Sequence, residues 1–77
     1  MAQQLKKILA TFDHSSRCFS KIEELNGLYK KSFNKNSTTE LYYSRSGSDI
    51  KPIYEIIAYY LKENEEELKF FENQLNN

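Results

Sequence analysis

Seventy-seven residues at zero formal charge bound the chain to one small domain, 1–77, with little room for irregular structure. A hydrophobic fraction of 39%, a charged fraction of 29% and only two Gly exclude a disordered chain, and six Tyr and five Phe carry much of the burial. Cys18 is alone, which excludes an internal disulfide and points to a reducing, cytoplasmic setting. No apolar run approaches the roughly 20 residues of a membrane span, and the opening MAQQLKKILATF lacks the sustained apolar stretch of a signal peptide. Charge is unevenly laid out. Residues 1–36 hold seven Lys/Arg against three acids (+4), and residues 37–77 hold four against eight (−4). Such halves attract within a fold or between copies, although two solvated helix faces are the plainer expectation.

In chain order every segment reads as helix, and the predicted fold is all-α. Leu5, Ile8, Leu9 and Phe12 recur at i, i+3, i+4, i+7, one stripe of a first helix. The DHSS stretch at 13–16 marks a break and restart. A second helix then carries Cys18, Phe19, Ile22, Leu25, Leu28, Tyr29 and Phe33 on a broad apolar face. Gly27 inside it costs about 1 kcal/mol relative to Ala, so a close helix crossing is expected there. NKNS ends that helix. Ser37 with Glu40 three residues on reads as a capping box, opening a short third helix with Leu41, Tyr42 and Tyr43. After the polar loop SRSGSD, Asp49 caps a last helix that accommodates Pro52 in its first turn.

That last helix is predicted to be long. Ile53, Ile56, Ile57, Tyr60 and Leu61 make a wide stripe, which narrows to a heptad-like seam of Ile57, Leu61, Asn64, Leu68, Phe71 and Leu75. A helix over 50–75 spans roughly 39 Å, more than the roughly 30 Å width of a compact domain this size. Residues 62–77 are therefore expected either to pair with a second copy, Asn64 fixing the register, or to fold back on the first helix. The fold reading is a bundle of three longer helices and one short one.

The chemistry of an enzyme is missing. His14 sits four residues before Cys18 with no orienting third group or cleft in view, and no further soft ligands stand near them for a metal. A surface His and a buried Cys are expected. The run ENEEE at 63–67 spreads its carboxylates over several helix faces. No cofactor and no catalytic residue is predicted. For nucleic acid, Lys6, Lys7, Arg17, Lys21, Lys30, Lys31 and Lys35 offer a basic face across the first two helices, without a recognition motif to accompany it. Nucleic acid ranks below protein as the expected partner.

The order of elements, with Glu40-Leu41-Tyr42-Tyr43 on a short helix and Asp49-Ile50-Lys51-Pro52 before Glu55-Ile56-Ile57, resembles the colicin/pyocin immunity family over roughly residues 20–62. Members of that family are four-helix inhibitors of E-type colicin DNases. The resemblance implies a non-catalytic protein that blocks a toxin nuclease. Tyr42 and Tyr43 would then be the shared anchor, with Glu40 among the partner-binding residues, and Asn26, Tyr29, Lys30 and Phe33 the residues that choose the partner. Tyr supplies large amphipathic contact area with few rotors to freeze, as a binding anchor requires. The chain departs from the family where Ser44 follows the Tyr pair in place of proline, and where Tyr59-Tyr60 stand in place of a late tryptophan. Read without the family, Tyr42 and Tyr43 are packing residues, and the alternative function is a small dimeric regulator acting through its last helix.

Overall fold

The stripe Leu5, Ile8, Leu9 and Phe12 that suggested a helix lies on a strand. The structure, a computed structural model, describes residues 3–76. They run as β1 (Gln4–Phe12), α1 (Ser15–Phe33), β2 (Glu40–Gly47), β3 (Pro52–Leu61), a 3-10 turn (Lys62–Asn64) and α2 (Glu65–Leu75). The all-α bundle is thereby corrected to an α/β fold. Three strands form an antiparallel sheet in the order β1-β3-β2, with two α-helices among the described residues. Because β1 and β2 each run antiparallel to β3, they are parallel to one another, and α1 connects them across the central strand.

Each misread segment has a local physical cause. In β1 the register jumps from Ile8↔Ile57 to Ala10↔Ile56, so Leu9 is the extra residue of a β-bulge. Before the bulge, odd residues face the helices; after it, even ones do. Leu5, Leu9 and Phe12 reach the same side, and the spacing imitates one face of a helix. In β2, Ser37 does not build a capping box. Its hydroxyl accepts from the Thr39 N–H at 2.9 Å, a turn closed two residues on, after which Glu40 opens a strand. β3 is the central strand and is apolar on both faces, so its period-two alternation is hidden in a near-continuous hydrophobic run. Its Ile and Tyr content is that of a strand.

α1 occupies the second predicted helix. It ends at Asn34, whose left-handed backbone (φ 56°) lets its N–H donate to the Lys30 carbonyl at 2.7 Å. The predicted helix over 50–75 is likewise corrected: β3 takes its first half, and α2 folds back onto the sheet, where Leu68 and Phe71 are buried. Both helices pack on the same face. Cys18, Leu25 and Tyr29 of α1, Ile56 of β3 and Phe71 of α2 form the buried core, flanked by Leu41, Tyr43 and Tyr54 from the sheet. The molecule measures 40 × 28 × 18 Å, and its thin dimension holds one sheet and one layer of helices. Among the described residues, none packs over the other face of the sheet. No helix among the described residues is long and apolar enough to cross a membrane.

Candidate functional site

Alternation along the three strands decides what the uncovered face displays. Tyr54, Ile56 and Ala58 of β3 point to the helices; Ile53, Glu55, Ile57, Tyr59 and Leu61 point away. Across from them stand Lys6 and Ile8 on β1, and Glu40, Tyr42, Ser44 and Ser46 on β2. The register arranges these side chains in rows. Ile57 lies between Ile8 and Tyr42, and Tyr59 lies between Lys6 and Glu40. Ile57 keeps only 8% of its surface, whereas Ile8 (51%), Tyr42 (49%) and Ile53 (43%) are open to solvent. Gln4, Lys6, Glu40, Tyr42, Ile57 and Tyr59 share the wall of one shallow depression there.

Tyr42 is held in place. Its ring meets that of its diagonal neighbour Tyr59 edge to face, with centroids 5.3 Å apart. Its hydroxyl donates to Glu40 Oε2 at 2.5 Å, and this bond to a carboxylate holds the phenol above its ordinary pKa. These two contacts leave the side chain few free rotors.

Tyr43, one residue on, points the other way. It stacks on Phe19 of α1 at 4.5 Å and on Tyr54 at 5.8 Å, on the helix side of the sheet. A strand cannot present adjacent side chains to one partner surface, so the structure separates the Tyr pair that the short helix was expected to offer together. Glu40 and Tyr42 remain on the open face. Tyr29 is buried, its hydroxyl donating to Glu67 at 2.9 Å. Phe33 is exposed at the end of α1, tilted against Tyr29 at 4.6 Å. Asn26 and Lys30 are exposed on α1, in the layer opposite the open face.

The seam residues are divided as well. Ile57 and Leu61 belong to β3, while Leu68, Phe71 and Leu75 pack from α2 into this chain's own core. Asn64 donates to Thr38 Oγ1 at 3.0 Å and so ties the start of α2 to the connection before β2. The basic residues do not share a face. Lys6 is on the open sheet surface, Lys7 pairs with Glu72 at 2.8 Å on the helix side, Arg17 pairs with Asp13 just before α1, and Lys21 pairs with Glu24 on α1. His14 is exposed at the start of α1; Cys18 is fully buried, its thiol donating to the Glu55 carbonyl at 3.5 Å. Burial pushes that thiol's pKa up. Among the described residues no group of three or more His, Cys, Asp or Glu side chains is placed to hold a metal ion.

What sequence reasoning missed is the site formed by Ile8, Ile53, Ile57 and Tyr59. The signal available was the Ile- and Tyr-rich composition of 53–61, which favours a strand over a helix of equal hydrophobicity. No protein-family model, no curated protein and no solved structure matches the chain.

Proposed function

We propose that this chain is a non-catalytic protein-binding module that uses its uncovered sheet face, with Tyr42 as the anchor. The observation that carries this reading is the one-sided covering of the sheet. Ile8 and Tyr42 are half-exposed on either side of the buried Ile57, an apolar row bounded by Lys6 and Glu40 on one side and by Thr11, Glu55 and Ser44 on the other, with Ile53 exposed beyond. Its chemistry favours protein over nucleic acid. Among the described residues the face sets Glu40 and Glu55 against Lys6, a poor balance for phosphate. Inhibition of a nuclease in the manner of the immunity proteins is the narrower form of the proposal. It keeps Glu40 and Tyr42 and gives up Tyr43. A cytoplasmic setting goes with it, where the solitary Cys18 stays reduced.

The test is affinity capture from the source cells with three versions of the full chain: parent, Tyr42→Asp on the open face, and Lys31→Glu on the helix layer. The expected result is a captured protein that Tyr42→Asp loses and Lys31→Glu retains. Equal capture by all three rules the face out as the binding surface.

A further inference from the structure

The rows on the open face place complementary residues on the two sides of β3, an arrangement that suits a second copy of this chain; the inference rests on taking that face as a protein-binding surface. β1 and β2 flank β3, and each row consists of one residue from each strand. One row is Lys6, Tyr59, Glu40: a cation, a ring on the midline, an anion. The adjacent row is Ile8, Ile57, Tyr42, wholly apolar apart from the phenol. Facing two such sheets about a two-fold axis along β3 lays β1 of one copy over β2 of the other. Lys6 then meets Glu40 of the second copy twice over, Ile8 meets its Tyr42 twice, and Ile57 meets its own counterpart. An isologous contact needs this kind of self-complementarity. Aligned sheets packed about 10 Å apart bring long side chains such as Lys and Glu within reach of each other.

We propose that two copies of the chain pair sheet to sheet through this face, with Lys6 of each copy against Glu40 of the other. The competing arrangements are poorer. A two-fold running across the strands at Ile57 sets Lys6 near Thr11 and Glu40 against Ser44, leaving both charges without partners. Pairing along the outer edge of β1 meets the bulge at Leu9 and the adjacent lysines Lys6 and Lys7, features that blunt an edge. One contact in the proposed register is unfavourable. Glu55, on the midline between Thr11 and Ser44, faces its own counterpart.

Sedimentation equilibrium of the full chain over a range of concentrations tests the pairing, using Lys6→Glu, Glu40→Lys and the double charge exchange. Both positions are exposed, so the variants keep the fold, which circular dichroism checks directly. The expected result is a dimer in which either single change weakens association by about tenfold or more, because it sets like charges opposite each other at two places. The double exchange restores the parent's affinity. Glu55→Gln tightens the dimer by removing the like-charge contact. A dimer whose affinity the double exchange fails to restore overturns the proposed register. A parent that stays monomeric to roughly 1 mM overturns the pairing itself. If that monomer still captures another protein in a Tyr42-dependent manner, the binding-face reading stands without the second copy; if it does not, both fall.

Discussion

Glu67 gathers more hydrogen bonds than any other side chain described. Its carboxylate accepts from the N–H and O–H of Thr38 at 3.1 and 2.6 Å, from those of Thr39 at 3.0 and 2.8 Å, and from the Tyr29 hydroxyl at 2.9 Å. Partial burial alone would raise its pKa. The donors from Thr38, Thr39 and Tyr29 outweigh that and hold it down at about 2, from an ordinary 4.5. The folded carboxyl is thus more acidic than the unfolded one. Its contribution to stability is complete above pH 4.5 and is lost as pH falls toward 2. Glu67→Gln is expected to cost about 1.5–3 kcal/mol at neutral pH, the range for hydrogen bonds to a charged acceptor. Urea titrations at a series of pH values should show that difference shrinking as the parent is acidified, and a constant difference would dissociate the loss from ionisation. Gly47 is a second position where one residue decides. It sits at φ +82°, and a Cβ there would lie 2.6 Å from the Lys51 carbonyl oxygen, so Gly47→Ala should lose roughly 1–3 kcal/mol through strain at the β2–β3 turn.

At the scale of elements, the helix signal was sound where one face alone is apolar. α1 buries Cys18, Leu25 and Tyr29 along one side and leaves Asn26 and Lys30 in water. Gly27 lies on its exposed side. A Cβ built there finds nothing within 4 Å, so the close helix crossing expected at this position is absent. Gly27→Ala should therefore stabilise the protein by about 0.5–1 kcal/mol through helix propensity alone, read as a higher melting temperature. A lower one would reveal a contact at Gly27 that the fold does not contain. The strands were misread for the opposite reason. β3 is apolar on both sides and β1 is shifted by one residue at Leu9, so neither shows a clean alternation.

For the whole molecule, the strand order β1-β3-β2 leaves one strand paired on both sides and two strands paired on one. β3 bonds to β1 and β2, while the outer edges of those two strands face solvent. Native-state hydrogen exchange is expected to be slowest at Ile56, Ile57 and Ala58, and fast at the alternate amides of β1 and β2 that point outward. Equal protection across all three strands would contradict this sheet order. The charge asymmetry between the two halves of the chain has a modest structural outcome. Among the described residues, Lys7–Glu72 at 2.8 Å is the ion pair that joins them, and with side chains 49% and 33% exposed it is screened by solvent and contributes little.

The sequence by itself determined three of the chain's turns and much of its core, while the turn at Lys62–Asn64 lay inside the predicted last helix. The break at DHSS, the end of α1 at Asn34, the polar turn before Pro52 and the apolar character of Leu25, Ile56, Leu68 and Phe71 are all local properties of composition and backbone. Only the tertiary structure decided whether the runs around Ile8, Tyr42 and Ile57 became helices or strands, since a strand's hydrogen bonds go to partners far along the chain. The candidate site was decided at the same moment. Tyr42 stood out as a candidate from its residue type, but its separation from Tyr43 and its grouping with Ile8, Ile57 and Tyr59 follow from register. Period-two geometry sends neighbours in sequence to opposite faces and collects on one face residues that lie dozens of positions apart.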